Sequence, residues 1–242
     1  MGAQLNSLKR SLEVSEKSVD RARNLRTRRS MSSTVLPRVF GSPWWLCAAA
    51  LRVTKSATMR LFGWSDYKRW ENSESYLAWW SSRTERIARL IPDGSRVLEF
   101  GAGTRLLESF LAHGCEYVSF DLIDRGPGTV ICDLNQRPLP RLSYLQSNVA
   151  VFSGVLEYIN DLPSLVGWLS RQTPMCIASY ECVKSRPYTA KRVAELVRRA
   201  YHGYMSYYTE QMLVSLFKAK GFSCTAIENW RDQKLFVFQI FD

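Results

Sequence analysis
Apolar and polar positions follow two periods along most of the chain, and the switches between them mark its elements. In SESYLAWWSSRTERIARLI, residues 73–91, apolar side chains recur at helical spacing. That predicts a helix burying Tyr76, Leu77, Trp80, Ile87 and Leu90 and stopping at Pro92, Asp93 and Gly94. SRVLEF then predicts a short apolar strand, and the residues after GAG predict a helix to about Ala112, capped by Gly114. EYVSFDL, TVICDL and SNVAVFSG read as strands, LPSLVGWLS as a helix and MCIASYE as another strand. Residues 188–201 and 209–220 read as helices, the second ended by Gly221. FSCTAIENW and KLFVFQIF, separated by RDQ, read as an antiparallel hairpin on the sheet edge. Strands alternating with helices at this spacing predict an α/β fold, a parallel sheet covered by helices.

Before Met59 the pattern is different. The first 30 residues end in RARNLRTRRS and hold few large apolar side chains, too few to build a core. Residues 31–57 carry an apolar patch interrupted by Pro37, Arg38, Pro43 and Arg52. Three readings stand open: a disordered tail, a targeting segment, or an extension upstream of a start at Met31 or Met59. Glu13, Glu16 and Asp20 speak against an organelle transit peptide, which is poor in acids. The expected division is a basic, disordered extension over 1–58 and one folded domain over 59–242.

Charge sharpens this division. The chain of 242 residues has a net charge of +11; residues 1–60 hold 12 Lys and Arg against 3 Asp and Glu, a net +9, and the other 182 hold 21 against 19, a net +2. The folded part is nearly neutral, which argues against a phosphate-tracking groove on it. Nucleic acid is therefore not the expected partner. No stretch approaches the roughly 20 apolar residues of a membrane span. Cys47, Cys115, Cys132, Cys176, Cys182 and Cys224 include no CxxC pair and His113 and His202 are the only histidines, so no metal site is expected. Most of these thiols lie in or beside apolar runs, which suits buried, reduced cysteine in a cytoplasmic protein.

The chemistry begins at VLEFGAGTRLLE. Gly101 and Gly103 leave room for backbone N–H groups to approach a ligand at a tight turn after a strand. A dinucleotide fingerprint would need a third glycine at 106, where the chain has Leu106. Asp121 ends the next strand, 20 residues after Gly101, where a carboxylate can accept both ribose hydroxyls. Asp133, ending the strand after that, offers another acceptor on the same sheet edge.

EFGAG, Asp121, CDLNQRPLP and VAVFSGVLEYINDLPSLV together resemble class I S-adenosylmethionine-dependent methyltransferases over about residues 70–242, in particular small members whose fourth strand runs into GVLEHV. The resemblance implies a Rossmann-like, doubly wound, seven-stranded mixed sheet with an antiparallel C-terminal hairpin. It implies S-adenosylmethionine as cofactor. Glu99 would orient its methionine part, and Gly101, Ala102 and Gly103 would let that part approach. Asp121 and Leu122 would serve the ribose, Asp133 and Leu134 the adenine, and Ser153 and Gly154, with residues on to Leu156, the floor beside the sulfonium. Arg105 stands where many members have a third glycine and Tyr158 where many have histidine. Arg105 is either solvated or paired with the cofactor carboxylate. Asn148, where an Asp often precedes the fourth strand, suits a capping or turn role.

His202, Glu157 and Tyr158 are the candidates for the catalytic end, with Glu181 a further possible base. His202 lies in RAYHGYMSYYTE among tyrosines, where a packing stripe is the competing reading, whereas His113 reads as a helix-end residue. Methyl transfer from a sulfonium is an in-line displacement in which positioning supplies much of the catalysis. The Asn/Asp-Pro-Pro-aromatic motif of many N-methylating enzymes is absent, since SGVLEY takes its place. The expected acceptor is a small molecule, sugar or lipid-linked compound. Two rivals are a non-catalytic module that keeps the fold, and an RNA-directed methyltransferase tethered by the Arg-rich segment.

Overall fold
The computed structural model describes residues 43–71, 78–142, 145–184 and 187–241. The chain divides into two compact units, Met1–Trp45 and Leu46–Asp242; of the first, only Pro43–Trp45 is described, as the start of a helix. The Arg-rich run, Tyr76 and Leu77 lie outside the described residues.

Helix α1, Pro43–Phe62, and a short α2, Tyr67–Glu71, precede the sheet, so the expected boundary at 58 falls inside α1. A 3₁₀ turn over Ala78–Trp80 leads into α3, Ser81–Ala88, which buries Ile87 and half-buries Trp80. The strands are β1 Arg96–Phe100, β2 Glu116–Asp121, β3 Val130–Ile131, β4 Val149–Ser153, β5 Met175–Tyr180, β6 Ser223–Trp230 and β7 Gln233–Gln239. Helices α4 Leu162–Leu169, α5 Ala190–Tyr201 and α6 Glu210–Lys218 complete the element order. Each of these three begins at a side-chain cap: Asp161, Thr189 and Thr209 accept the backbone N–H three residues on.

The seven strands follow the order β3-β2-β1-β4-β5-β7-β6. Neighbours from β3 to β5 are parallel, while β7 is antiparallel to both β5 and β6. The mixed, doubly wound sheet of the α/β expectation is thus present. Side chains alternate between faces along each strand. Leu98, Phe100, Ala150, Phe152, Cys176, Ala178, Phe236 and Phe238 pack under α4 and α6, while Val97, Val149, Val151, Ile177, Leu235 and Val237 meet α3 and Leu107. Asn148, expected to cap or turn, instead ties the start of β4 to that of β1, its Oδ1 accepting the Arg96 N–H at 2.7 Å and its own N–H reaching the Arg96 carbonyl at 3.2 Å.

Two elements are shorter than the pattern predicts. The helix after GAG is a 3₁₀ segment over Leu106–Phe110: left-handed Arg105 (φ 57°) keeps it from starting earlier, and the extended backbone of Leu111 ends it before Ala112. Strand β3 ends at Ile131 because Asp133 turns its own carboxylate onto the Asn135 N–H at 2.9 Å, an Asx turn that diverts the backbone from the ladder. Of the cysteines, only Cys176 and Cys182 are buried; Cys115, Cys132 and Cys224 are half-buried and Cys47 is exposed, so the expectation of buried thiols holds for two of six.

Candidate active site
Sheet order reverses between β1 and β4, since β2 and β3 lie to one side and β5 to the other. In doubly wound folds the carboxyl ends of the strands open into a crevice at that point. Here a cavity of about 900 Å³ lies there, and it brings together the residues expected at the site except Leu156, which turns into the core under the sheet. Glu99, Gly101, Ala102 and Gly103 line it from β1 and its turn, Asp121 and Leu122 from β2, and Asp133 and Leu134 from beyond β3. Ser153, Gly154, Glu157 and Tyr158 follow β4, and His202 follows α5.

The glycine turn is laced to the end of β2. The N–H groups of Gly101 and Ala102 donate to the Phe120 carbonyl at 2.7 and 3.1 Å, and Gly103 N–H donates to Asp121 Oδ2 at 2.8 Å. Gly101 has φ 69°, and a Cβ on it would stand 2.5 Å from Val155 Cγ2. Sterics therefore require glycine at 101 from two directions. Asp121 also accepts from Ile123 N–H at 3.1 Å and pairs with Arg125 at 3.3 Å. Asp133 is held by Ser65 Oγ at 2.6 Å and the Tyr67 hydroxyl at 3.0 Å, so the segment after α1 roofs this end of the cavity.

Glu99 is the electrostatic anomaly. It is 3% exposed and accepts the Tyr117 hydroxyl at 2.5 Å. Burial raises its carboxyl from 4.5 to about 8, a rise only partly opposed by the Tyr117 hydrogen bond and the Arg83 cation.

The other end of the cavity is aromatic and charged. Glu157 is 1% exposed; its Oε1 accepts from Glu181 N–H at 2.8 Å and from Gln233 Nε2 at 3.0 Å, while Oε2 has no partner among the described residues. Burial raises its carboxyl pKa as well. Tyr158 packs edge-on against Trp70 and Tyr204, with ring centroids 4.9 and 5.3 Å away, and burial raises its hydroxyl. His202 caps the C-terminus of α5; burial, then Arg198 and Arg69, lowers its pKa, so its ring is neutral at pH 7. Glu181 is engaged by Arg198 and by the Tyr204 hydroxyl at 3.0 Å.

Sequence reasoning missed Arg83 and Gln233, which also line the cavity. Arg83, 5% exposed, donates to Ser153 Oγ and the Ser153 carbonyl, both at 3.1 Å, and to Gln233 Oε1 at 2.9 Å. Arg83, Gln233 and Glu157 therefore form a hydrogen-bonded chain across segments far apart in sequence. The available signal was Arg83 itself, a charge spaced with Trp80 and Ile87 on the apolar face of α3. Arg105 stays out of the cavity lining: its guanidinium donates to the Pro127 carbonyl at 2.6 Å and pairs with Glu108 at 2.9 Å. His113 is exposed and also outside the lining.

Residues 70–227 match the model of a protein family described as a methyltransferase domain. The chain belongs to that family. Its membership upholds the resemblance drawn from the motifs, that of an S-adenosylmethionine-dependent methyltransferase. No curated protein sequence matches the chain. Solved structures do. The mitomycin 7-O-methyltransferase MmcR superposes with a TM-score of 0.58 at 12% identity, covering 83% of this chain and 69% of that one. The 1,6-didemethyltoxoflavin-N1-methyltransferase of Burkholderia thailandensis, solved with 1,6-didemethyltoxoflavin and S-adenosylhomocysteine, gives 0.52 at 15% identity over 88% and 94%. CalO1, a methyltransferase in calicheamicin biosynthesis with S-adenosylhomocysteine bound, gives 0.52 at 15% over 80% and 68%. At these identities the likeness to this methyltransferase domain is one of fold.

Proposed function
We propose that the domain moves a methyl group from S-adenosylmethionine to a small-molecule acceptor held in the same cavity. One observation carries the reading: the glycine turn and the strand-end acids Glu99, Asp121 and Asp133 share a single cavity with the aromatic end around Glu157, Tyr158 and His202. The donor set suits the cofactor. Asp121, which ends β2, and Asp133, two residues beyond β3, are hydrogen-bond acceptors suited to ribose and adenine, and Glu99 would face the methionine ammonium. Bound S-adenosylmethionine supplies an electrophilic methyl on sulfur, and an acceptor O–H or N–H that takes it must lose its proton. The chain's part is to hold the acceptor in line, exclude water and receive that proton. Glu157 Oε2 and the neutral His202 ring are the groups prepared to receive it, with Tyr158 and its aromatic neighbours orienting the acceptor.

A second reading, a non-catalytic module with an altered cofactor site, draws on one observation: both oxygens of Asp121 already serve Gly103, Ile123 and Arg125. Oδ1 serves both Ile123 and Arg125, whereas Oδ2 serves only Gly103 and keeps a lone pair for a ribose hydroxyl. Calorimetric titration of the full chain with S-adenosylhomocysteine separates the two. Micromolar binding, lost on Asp121→Ala without loss of fold, supports the methyltransferase reading. A folded protein that does not bind supports the module.

A further inference from the structure
Helix α1 is amphipathic in the unexpected sense. Positions 51, 54, 58, 61 and 62 share one face, by the helical spacing of three, seven, ten and eleven residues. All of these are exposed, and none is charged. Leu51 is 71% exposed, Leu61 78% and Phe62 58%, and the chain continues into Trp64, stacked on Phe62 at 4.8 Å and itself 54% exposed. The opposite face carries the half-buried Val53, Ser56 and Met59, the last two lining the cavity. Arg52 and Arg60 are drawn to the protein by the faces of Tyr201 and Tyr207, at 4.9 and 4.5 Å. Leu61, Phe62 and Trp64 thus stand together in water, with Leu51 further along the same face, and exposed apolar side chains clustered in this way mark an interaction site.

Charge decides what fits it. The helix contains no acidic residue; Lys55, at its exposed edge, pairs with Asp66 at 2.7 Å, Lys68 is exposed on its extension, and residues 1–60 carry a net +9. A second copy would bring the same cations against themselves, and the Arg-rich segment preceding the helix would repel them as well. A nucleic acid answers the charge but offers nothing to Leu51, Leu61 and Phe62. Apolar contact combined with negative charge is what an anionic lipid surface offers, and Trp and Tyr, here Trp64 and the exposed Tyr67, are side chains suited to its interface. We propose that the outward face of α1 docks on anionic membrane surface, lying in its plane, with the cavity on the inner side of the helix.

Co-sedimentation of the full chain with vesicles tests this. Binding is expected to be at least tenfold stronger with phosphatidylcholine vesicles containing 30% phosphatidylglycerol than with phosphatidylcholine alone, and weaker in 0.5 M salt. The double variant Leu61→Ser with Phe62→Ser keeps every charge and every cavity residue, and circular dichroism checks its fold. It is expected to lose vesicle binding at least tenfold. Equal binding by the variant would assign the attraction to the basic segment and overturn the proposal. So would failure to bind anionic vesicles at millimolar lipid, or a dimer in sedimentation velocity that the double variant abolishes.

Discussion
Replacing Glu99 with glutamine tests whether its surroundings hold this carboxyl neutral. Its folded-state pKa is raised from 4.5 to about 8, first by burial. The native protein therefore keeps a proton that the unfolded chain releases above its own carboxylate pKa of about 4.3. Stability from this group is greatest below that pH and falls as pH rises, levelling off above about 8 once both states are ionised. At about 1.4 kcal/mol per pH unit, the interval corresponds to at most on the order of 5 kcal/mol. Glutamine has nearly the same shape, still accepts the Tyr117 hydroxyl through its amide oxygen, and has no proton to lose. Urea denaturation of the cofactor-free chain at pH 5 and pH 8.5 should show wild type losing several kcal/mol more than Glu99→Gln across that range. Parallel pH profiles would refute the argument. A cation bound beside Glu99 favours its anion, so titration with S-adenosylhomocysteine near pH 6 should release a proton from wild type. Buffers of different ionisation enthalpy would reveal it, and the variant should show less release.

Gly101→Ala should cost about 2–5 kcal/mol, combining left-handed strain of about 1–2 with overpacking of about 1–3. Gly128→Ala, at φ 83° with nothing within 4 Å, should show only the strain, and equal losses in thermal denaturation would remove the Val155 contact from the account. Gln233→Leu breaks the bridge between Arg83 and Glu157 and should destabilise the fold by about 1–3 kcal/mol. Its S-adenosylhomocysteine affinity should stay within a few-fold of wild type, and a large drop by calorimetry would place Gln233 at the cofactor end instead. A thiol reagent should modify Cys47 first and Cys176 and Cys182 last, since burial shields both and pushes the Cys182 thiol up to about 12.

How much could be read beforehand depended on how local each feature is. The glycine turn and the acids at 99, 121 and 133 were legible because strand ends and their turns are written in consecutive residues, and parallel topology gathers them on one edge. The length of β3 was not, since one Asx turn at Asp133 overrides the β-branched run before it. Arg105 showed as a departure from the glycine pattern, but its left-handed backbone and its Pro127 and Glu108 partners are tertiary facts. Arg83 and Gln233 stand 150 positions apart, and nothing in either neighbourhood names the other. The same holds for Ser65 and Tyr67, whose link to Asp133 no periodicity announces.

The place of β7 in the sheet has a consequence for the order of synthesis. Strand β7 is made after β6 yet lies between β6 and β5, pairing with Met175–Tyr180 along its length. Until residues 233–239 have left the ribosome, β5 is an open, apolar sheet edge and β6 has no strand to join. At roughly 5–20 residues per second this lasts for several seconds, during which such an edge can pair with another nascent chain. The last β-rich segment thus closes the sheet as a keystone closes an arch, and a nascent domain lacking it is a natural client for a chaperone that shields strand edges.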